Sequence, residues 1–259
     1  YHLNLSQDGT FNPRDIFGSH DDSDHVYNTP RAWYMARCLN PSTMNWDGPD
    51  ADFTPLSDDI PWCMVPEKKV TIEDVKYVLS SHFQGTPYDP YASYGDKSMK
   101  GAYRAIGVNR TDFLGIIQMR PDAGEDSRAI EWVAFASNVF NTTAPFYTDV
   151  EKVPEYFSNT TGDASTDNFY WASRMIAAMA DASYSKSIFH IERYQERVMS
   201  KGHEYINQYD ELLEKESNAE KRMQLRQEAN EKIADMVKKE TQDTLNKVLY
   251  ELSNQMKNA

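Results

Sequence analysis

Apolar residues recur every three or four positions over the last third of the chain, the spacing that places side chains on one face of an α-helix. This pattern predicts helices over Phe169–Ala182 and Ile188–Leu213, a break at Ser217-Asn218, and then a helix of about ten turns. We expect these helices to pack antiparallel, and the imperfect heptad disfavours a self-associating coiled coil. The apolar stripe of the last helix consists of Met223, Ala229, Ile233, Val237, Leu245, Val248, Leu252 and Met256.

Two segments rich in β-forming residues, Phe113–Arg120 and Ile130–Ser137, lie on either side of a loop that contains Pro, Gly and Asp. Aromatic and β-branched residues favour strands, and a loop of this composition favours a reversal of the chain. The pattern therefore predicts an antiparallel β-hairpin.

A helix start is indicated at Thr71-Ile-Glu-Asp74, where a threonine precedes an acidic residue by three positions, as in a capping box. The apolar positions that follow continue one helical face, and we expect the helix to stop near Gly85. These positions are Val75, Val78, Leu79 and Phe83.

The composition changes along the chain and divides it into two parts. All 12 prolines lie at or before Pro154, 10 of the 11 glycines at or before Gly162, and all five tryptophans at or before Trp171. Together with the elements above, this predicts an α+β protein. We expect a mixed α/β part over residues 1–165 and a helical tail over residues 166–259 that packs on it.

Charge and hydropathy exclude several classes of partner. There are 27 Lys+Arg against 40 Asp+Glu, a net charge of −13, which argues against binding to a nucleic-acid backbone. No run approaches the 18 apolar residues of a membrane span, and no secretion signal is visible. We therefore expect no membrane partner and favour a cytoplasmic over a secreted location.

Few residues suggest chemistry on spacing alone. The acidic run His20-Asp-Asp-Ser-Asp-His25 does not fit a calcium-binding loop, and a solvated loop is favoured over a metal site. Cys38 and Cys63 have no neighbouring His or glycine-rich elbow, so a packed residue is favoured over a nucleophile. No nucleotide, dinucleotide or zinc motif is present, and we expect no cofactor and no metal.

Eight short segments carry a further signal when they are taken in chain order. They are Asp8–Arg14, Phe17-Gly18, Tyr27–Trp33, His82–Asp89, Gln118–Pro121, Trp132–Ala134, Pro145–Tyr147 and Tyr170-Trp171. In this order they resemble bacterial dipeptidases of family sixty-nine of the cysteine peptidases. The resemblance covers residues 1 to about 175, and the helical tail is compatible with it.

The resemblance implies the N-terminal-nucleophile hydrolase fold, an αββα sandwich of two stacked antiparallel sheets. It also implies a thiol-dependent dipeptidase in which an N-terminal cysteine attacks the peptide bond of a small dipeptide and its own α-amine takes the thiol proton. Tyr1-His-Leu-Asn resembles the interior of a family member. This chain is therefore expected to be the C-terminal portion of such an enzyme, inactive alone, with the nucleophile-bearing N-terminal half as its partner.

Two alternatives remain open at this stage: a shortened relative with another activity, and a non-catalytic binding or assembly module whose helical tail docks a partner protein. The sequence does not fix the oligomeric state, and a homo-oligomer is compatible with it.

Related cysteine amidases place an Arg, and often an Asn, near the thiolate from the second half of the chain. The resemblance therefore implies Arg110, with Asn109 beside it, as the first supporting candidate and Arg120 as the second. A cation at this place lowers the pKa of a thiol because it favours the charged form. The competing interpretation of each residue is an ordinary surface or structural side chain.

Overall fold

The computed structural model describes residues 13–19 and 21–258, and the chain divides into two compact units, Tyr1–Ile106 and Gly107–Ala259. Most of the resemblance segment Asp8–Arg14, the segment Tyr1–Asn4, and His20 of the acidic run lie outside the described residues.

The first unit has an aromatic core. Trp33 and Tyr34 of its longest helix pack with Trp46, Ile60 and Phe83, all of them buried. Both indole N–H groups donate to backbone carbonyls, at 3.1 Å for Trp33 and 2.8 Å for Trp46, so the core leaves neither of them unsatisfied. The helices are α1 (Pro13–Phe17), α2 (Asp24–Tyr27), α3 (Thr29–Leu39) and α4 (Ile72–Leu79).

Helix α4 begins as predicted and ends earlier. The Thr71 hydroxyl accepts from the Asp74 N–H at 3.1 Å, and the Asp74 carboxylate accepts from the Thr71 N–H at 3.0 Å, which confirms the capping box. The predicted continuation to Gly85 is wrong, because Ser80 caps the helix and Phe83 has a φ of 66°, a left-handed conformation that no α-helix contains.

The second unit contains a three-stranded antiparallel sheet in the order β1-β2-β3. Its register pairs Phe113 with Phe135 and Met119 with Ala129, which confirms the predicted hairpin. The pattern did not predict the third strand, which is only four residues long and contains a proline. The strands are β1 (Phe113–Met119), β2 (Ala129–Phe135) and β3 (Ala144–Tyr147).

The predicted tail helices are confirmed. The chain breaks where expected, and the Asn218 side chain accepts from the Lys221 N–H at 3.0 Å to cap the last helix. The two longest helices run antiparallel, since Tyr194 bonds Thr241 whereas Tyr209, later in the first of them, bonds Glu228, which lies earlier in the second. The helices are α5 (Glu155–Ser158), α6 (Phe169–Ala182), α7 (Tyr184–Lys215) and α8 (Ala219–Ser253).

One face of the sheet packs on α7. Gly202 lies so close to Pro145 that a Cβ there would come within 2.6 Å of the proline ring, and the Tyr147 hydroxyl donates to the Ile206 carbonyl at 3.1 Å. On α8, the Asn230 side chain bonds both the N–H and the C=O of Tyr147, at 2.9 and 3.0 Å. This amide therefore pairs with the edge of β3 as another strand would.

The three strands and the tail helices belong to the same compact unit. The division into a mixed α/β part over residues 1–165 and a helical tail stays a prediction. Among the described residues, no helix has the length and apolar character needed to cross a membrane.

Candidate functional site

The first predicted site residues, Asn109 and Arg110, form a turn just before β1. The Asn109 carbonyl accepts from the Arg174 guanidinium at 3.2 Å, and Arg174 also approaches Asp112 at 3.7 Å. Asp112 accepts in addition from the Tyr170 hydroxyl at 3.1 Å. Helix α6 therefore fixes the backbone of the turn, while the Arg110 side chain is exposed to solvent.

The second predicted residue, Arg120, directly follows β1 and is engaged in a network. Its guanidinium binds Asp210 of α7 through two N–H groups, one of them at 3.1 Å, and also donates to the Ser127 carbonyl. Asp210 accepts from the Tyr147 hydroxyl at 2.8 Å, and burial raises the pKa of this tyrosine. The Asp210 carboxylate therefore neutralises Arg120 locally.

The two candidates do not share one site. Arg110 precedes β1 and Arg120 follows it, and a strand of seven residues is about 20 Å long. A single cysteine thiolate can therefore contact one of these guanidinium groups but not both.

A further charged network in the hairpin loop escaped the sequence analysis. Asp126 accepts from Arg222 at 2.7 Å and also from Arg226, whose guanidinium is almost fully buried and reaches Asp149 at 2.9 Å. The hydrogen bond from Arg222 holds the pKa of the Asp126 carboxyl below its usual range. No local spacing signals these contacts, because they join residues about one hundred positions apart.

In the first unit, the two end residues of the resemblance segment His82–Asp89 contact each other. His82 Nδ1 lies 2.9 Å from Asp89 Oδ1, and both side chains are buried. Asp89 also accepts from the Tyr91 N–H at 2.8 Å, and the Tyr91 ring meets the imidazole edge-on at 5.1 Å. A carboxylate on Nδ1 fixes the orientation of an imidazole and places a proton on that nitrogen. Both residues belong to a segment that carries the resemblance, but no sequence pattern assigned either of them a role.

Neither cysteine shows the features of an activated nucleophile. Cys38 lies half-buried on α3, and burial raises the pKa of its thiol, which lowers the thiolate fraction. Cys63 is exposed. In the acidic run, His25 lies 3.3 Å from Asp58, and the part of the chain that the structure describes holds no group of three or more side chains suited to a metal ion.

The comparisons with known proteins agree on one family. The chain matches peptidase family C69 over residues 1–197. The chain belongs to this family. It is 45% identical to a dipeptidase of Bifidobacterium longum over 99% of this chain. It is 44% identical to a probable dipeptidase A of Streptococcus pyogenes over 100% of this chain. A dipeptidase A of Lactobacillus helveticus is 33% identical over 97% of the chain.

The C69 match includes all three predicted site residues and the His82–Asp89 segment, and it ends within α7. The alignments with the Bifidobacterium and Streptococcus relatives extend through the helical tail as well, so these relatives share it. The chain spans about half the length of these relatives, 56% and 52%.

Proposed function

We propose that this chain is the C-terminal portion of a thiol-dependent dipeptidase whose nucleophile belongs to the other half of the protein. The observation that carries this proposal is its match to dipeptidases along its whole length but over only about half of theirs. The unactivated state of Cys38 supports it, because a reactive thiol needs a lowered pKa.

In the proposed reaction, the sulfur of an N-terminal cysteine attacks the carbonyl carbon of a small dipeptide while the α-amine of the same residue takes the thiol proton. The C–N bond then breaks, and the protonated α-amine returns that proton to the departing amine. Water hydrolyses the thioester that remains, which releases the N-terminal amino acid of the dipeptide and restores the thiol.

The exposed side of the sheet supports the proposed αββα sandwich. Phe113, Ile117 and Met119 of the edge strand β1 all point to one face and are each more than half exposed. Beside them lies an apolar groove of about 250 Å³, lined in part by Phe135 and Phe157. Covering such side chains with a second sheet stabilises the fold by about 1 kcal/mol each, since each is already partly buried.

Within this site, the geometry supports Arg110 ahead of Arg120 as the group beside the thiolate. Arg110 is exposed at the end of a turn that α6 holds in place, whereas Asp210 already neutralises Arg120. A neutralised cation shifts the pKa of a thiol less than an unpaired one does. Asn109 is exposed beside Arg110 and could donate its side-chain amide to a developing oxyanion.

The test uses the full-length enzyme and follows the alkylation rate of its N-terminal thiol as a function of pH, together with dipeptide turnover. We expect Arg110→Ala to raise the apparent pKa of the thiol and to lower kcat/KM, and Arg110→Lys to recover part of both. The matched control is Arg128→Ala, another exposed arginine near the same strands. If Arg110→Ala behaves as Arg128→Ala does, the assignment of Arg110 is wrong.

A further inference from the structure

Strand β1 forms one edge of the sheet, and its outer side has no partner strand among the described residues. Hydrogen bonds at both ends of the β1–β2 pair show which residues point to β2. The Asp112 carbonyl accepts from the Ala136 N–H at 3.0 Å, and the Arg120 N–H donates to the Arg128 carbonyl at 2.9 Å. In an antiparallel pair, hydrogen-bonded positions alternate with positions that face away. The even-numbered residues of β1 therefore bond β2, whereas the odd-numbered residues point their N–H and C=O groups outward.

The outward-facing positions of β1 are open to solvent. Gly115 is exposed, and because it has no side chain, this exposure belongs to its backbone. The other odd-numbered residues, Phe113, Ile117 and Met119, are 55%, 58% and 62% exposed. Their side chains share one face of the sheet, since residues two positions apart in a strand point the same way. The edge of β1 therefore presents backbone donors and acceptors beside a row of exposed apolar side chains.

The two edges of the sheet differ in how they are protected. Natural sheets protect an edge with charges, proline, bulges or short strands, because an open edge pairs with other strands. Strand β3 has only four residues, includes Pro145, and ends where the Tyr147 backbone bonds the Asn230 side chain. Strand β1 has seven residues with no charged residue and no proline, and its pairing with β2 contains no bulge. The edge of β1 is therefore suited to receive another strand.

We propose that β1 pairs at this edge with a strand from the N-terminal half of the same protein. The chain spans 56% and 52% of its dipeptidase relatives, so a comparable length of polypeptide accompanies the matching part in them. A strand within the same protein competes at an effective concentration of about millimolar, above that of a second copy in solution. Two copies of this chain also repel each other, because each carries a net charge of −13. The inference rests on the proposed function, and it names the place at which the nucleophile-bearing half joins this one.

The chemistry of the edge defines the strand that fits it. Strand addition draws its affinity from main-chain hydrogen bonds and its specificity from side chains at alternate positions. The outward N–H and C=O groups of β1 supply the hydrogen bonds. The added strand needs apolar residues opposite Phe113, Ile117 and Met119, because directly opposed side chains pack against each other. The pairing extends the sheet from three strands to four.

Amide hydrogen exchange of the full-length protein, measured residue by residue, tests the pairing. The N–H groups of Leu114, Ile116 and Gln118 point to β2 and serve as the internal control. If β1 gains a strand, the N–H groups of Gly115 and Ile117 exchange as slowly as these controls, about a hundredfold or more below the rate of an unpaired amide. Burial alone does not explain such protection, because buried N–H groups without a partner are rare. Exchange of Gly115 and Ile117 at the unpaired rate, beside slow controls, overturns the proposal.

Cross-linking identifies the strand that occupies the edge. The photoreactive residue benzoylphenylalanine replaces Met119 in the full-length protein, and mass spectrometry identifies the peptides that are linked after irradiation. We expect a peptide from the N-terminal half of the same molecule. The matched control carries the same photoreactive residue in place of Tyr250, an exposed position of α8 outside the sheet, and should not yield that peptide. A link from position 119 to β1 of a second copy, or the same peptide from both variants, overturns the proposal.

The proposed function and this inference fail in different ways. If the full-length protein is not a dipeptidase, it hydrolyses no dipeptide, yet the N–H groups of Gly115 and Ile117 still exchange slowly. If the protein is a dipeptidase and the inference is wrong, thiol-dependent hydrolysis is observed while these two N–H groups exchange at the unpaired rate.

Discussion

Replacing Asp126 with asparagine removes the carboxylate that two arginines of α8 share. Asp126 lies in the loop between β1 and β2, and it accepts hydrogen bonds from Arg222 and Arg226. These contacts fix the closed end of the hairpin to a helix that begins about one hundred residues later in the chain. The substitution preserves the shape of the side chain, so its effect reports the charge.

The structure sets the magnitude of the effect. Removing one partner of a fully buried ion pair costs about 3–5 kcal/mol. Asp126 is 27% exposed, so solvent screens part of the interaction, and Arg226 keeps Asp149 as a second partner. We therefore expect Asp126→Asn to lower the free energy of unfolding of the second unit by about 2 kcal/mol at pH 7.

The same contacts predict a pH dependence. The folded-state pKa of Asp126 lies below its unfolded value, so the unfolded state binds the proton more readily. The stabilisation is complete above about pH 4, the unfolded value, and is lost as the pH falls through the folded pKa. The difference between wild type and variant should therefore shrink below about pH 4.

Urea unfolding at pH 7 and at pH 3, together with amide hydrogen exchange of β2, measures this difference in the second unit. The control is Asp122→Asn, an exposed aspartate of the same loop, which should change stability by less than about 0.5 kcal/mol. Equal stability of Asp126→Asn and wild type at pH 7, or a difference that does not change with pH, would show that the charge of Asp126 does not stabilise the second unit.

Three further substitutions test other contacts. Burial lowers the pKa of Lys76 to about 7, so wild-type stability rises as the pH increases from about 7 towards 10.5. Lys76→Met should abolish this rise, measured by urea unfolding, and should stabilise the first unit at pH 6. Thr71→Ala removes a helix cap and should cost about 1 kcal/mol in the same assay. Gly202→Ala places a methyl group against Pro145 and should lower the melting temperature, although alanine favours the helix.

The substitutions of Lys76 and Gly202 each have a matched control on an exposed side chain. Lys69→Met should leave the pH dependence of unfolding unchanged, and Ser200→Ala should leave the melting temperature unchanged. A Lys76→Met protein that still gains stability above pH 7 would contradict the role given to burial. A Gly202→Ala protein as stable as wild type would show that the helix and the sheet can separate at no cost.

Sequence patterns within a few residues predicted the helix starts, the helix break and the hairpin. The capping box at Thr71, the break before Asn218 and the helix Phe169–Ala182 all follow from hydrogen bonds or periodicity within a few residues, and the structure confirms each of them. The α+β class follows from the same signals. The early end of α4 did not follow, because no local spacing signals the cap at Ser80 or the left-handed conformation of Phe83.

Contacts between residues far apart in the chain could not be predicted from the sequence. Strand β3 has four residues, and the backbone N–H and C=O of its last residue, Tyr147, bind Asn230, which lies more than eighty positions away. The neutralisation of Arg120 by Asp210 likewise joins residues 90 positions apart. The two supporting arginines could therefore be named from the resemblance, but their different surroundings could be distinguished only in three dimensions.

The proposed function is tested most directly by comparing dipeptide hydrolysis by the 259-residue chain alone, by the full-length protein, and by the chain mixed with the N-terminal half proposed for it. We expect no turnover by the chain alone and thiol-dependent turnover by the full-length protein. Mixing should restore this turnover in part, since nucleophile and base act as one unit. Cys38→Ser and Cys63→Ser should leave the full-length activity unchanged. Robust hydrolysis by the chain alone that either substitution abolishes would overturn the proposed function and place the nucleophile within this chain.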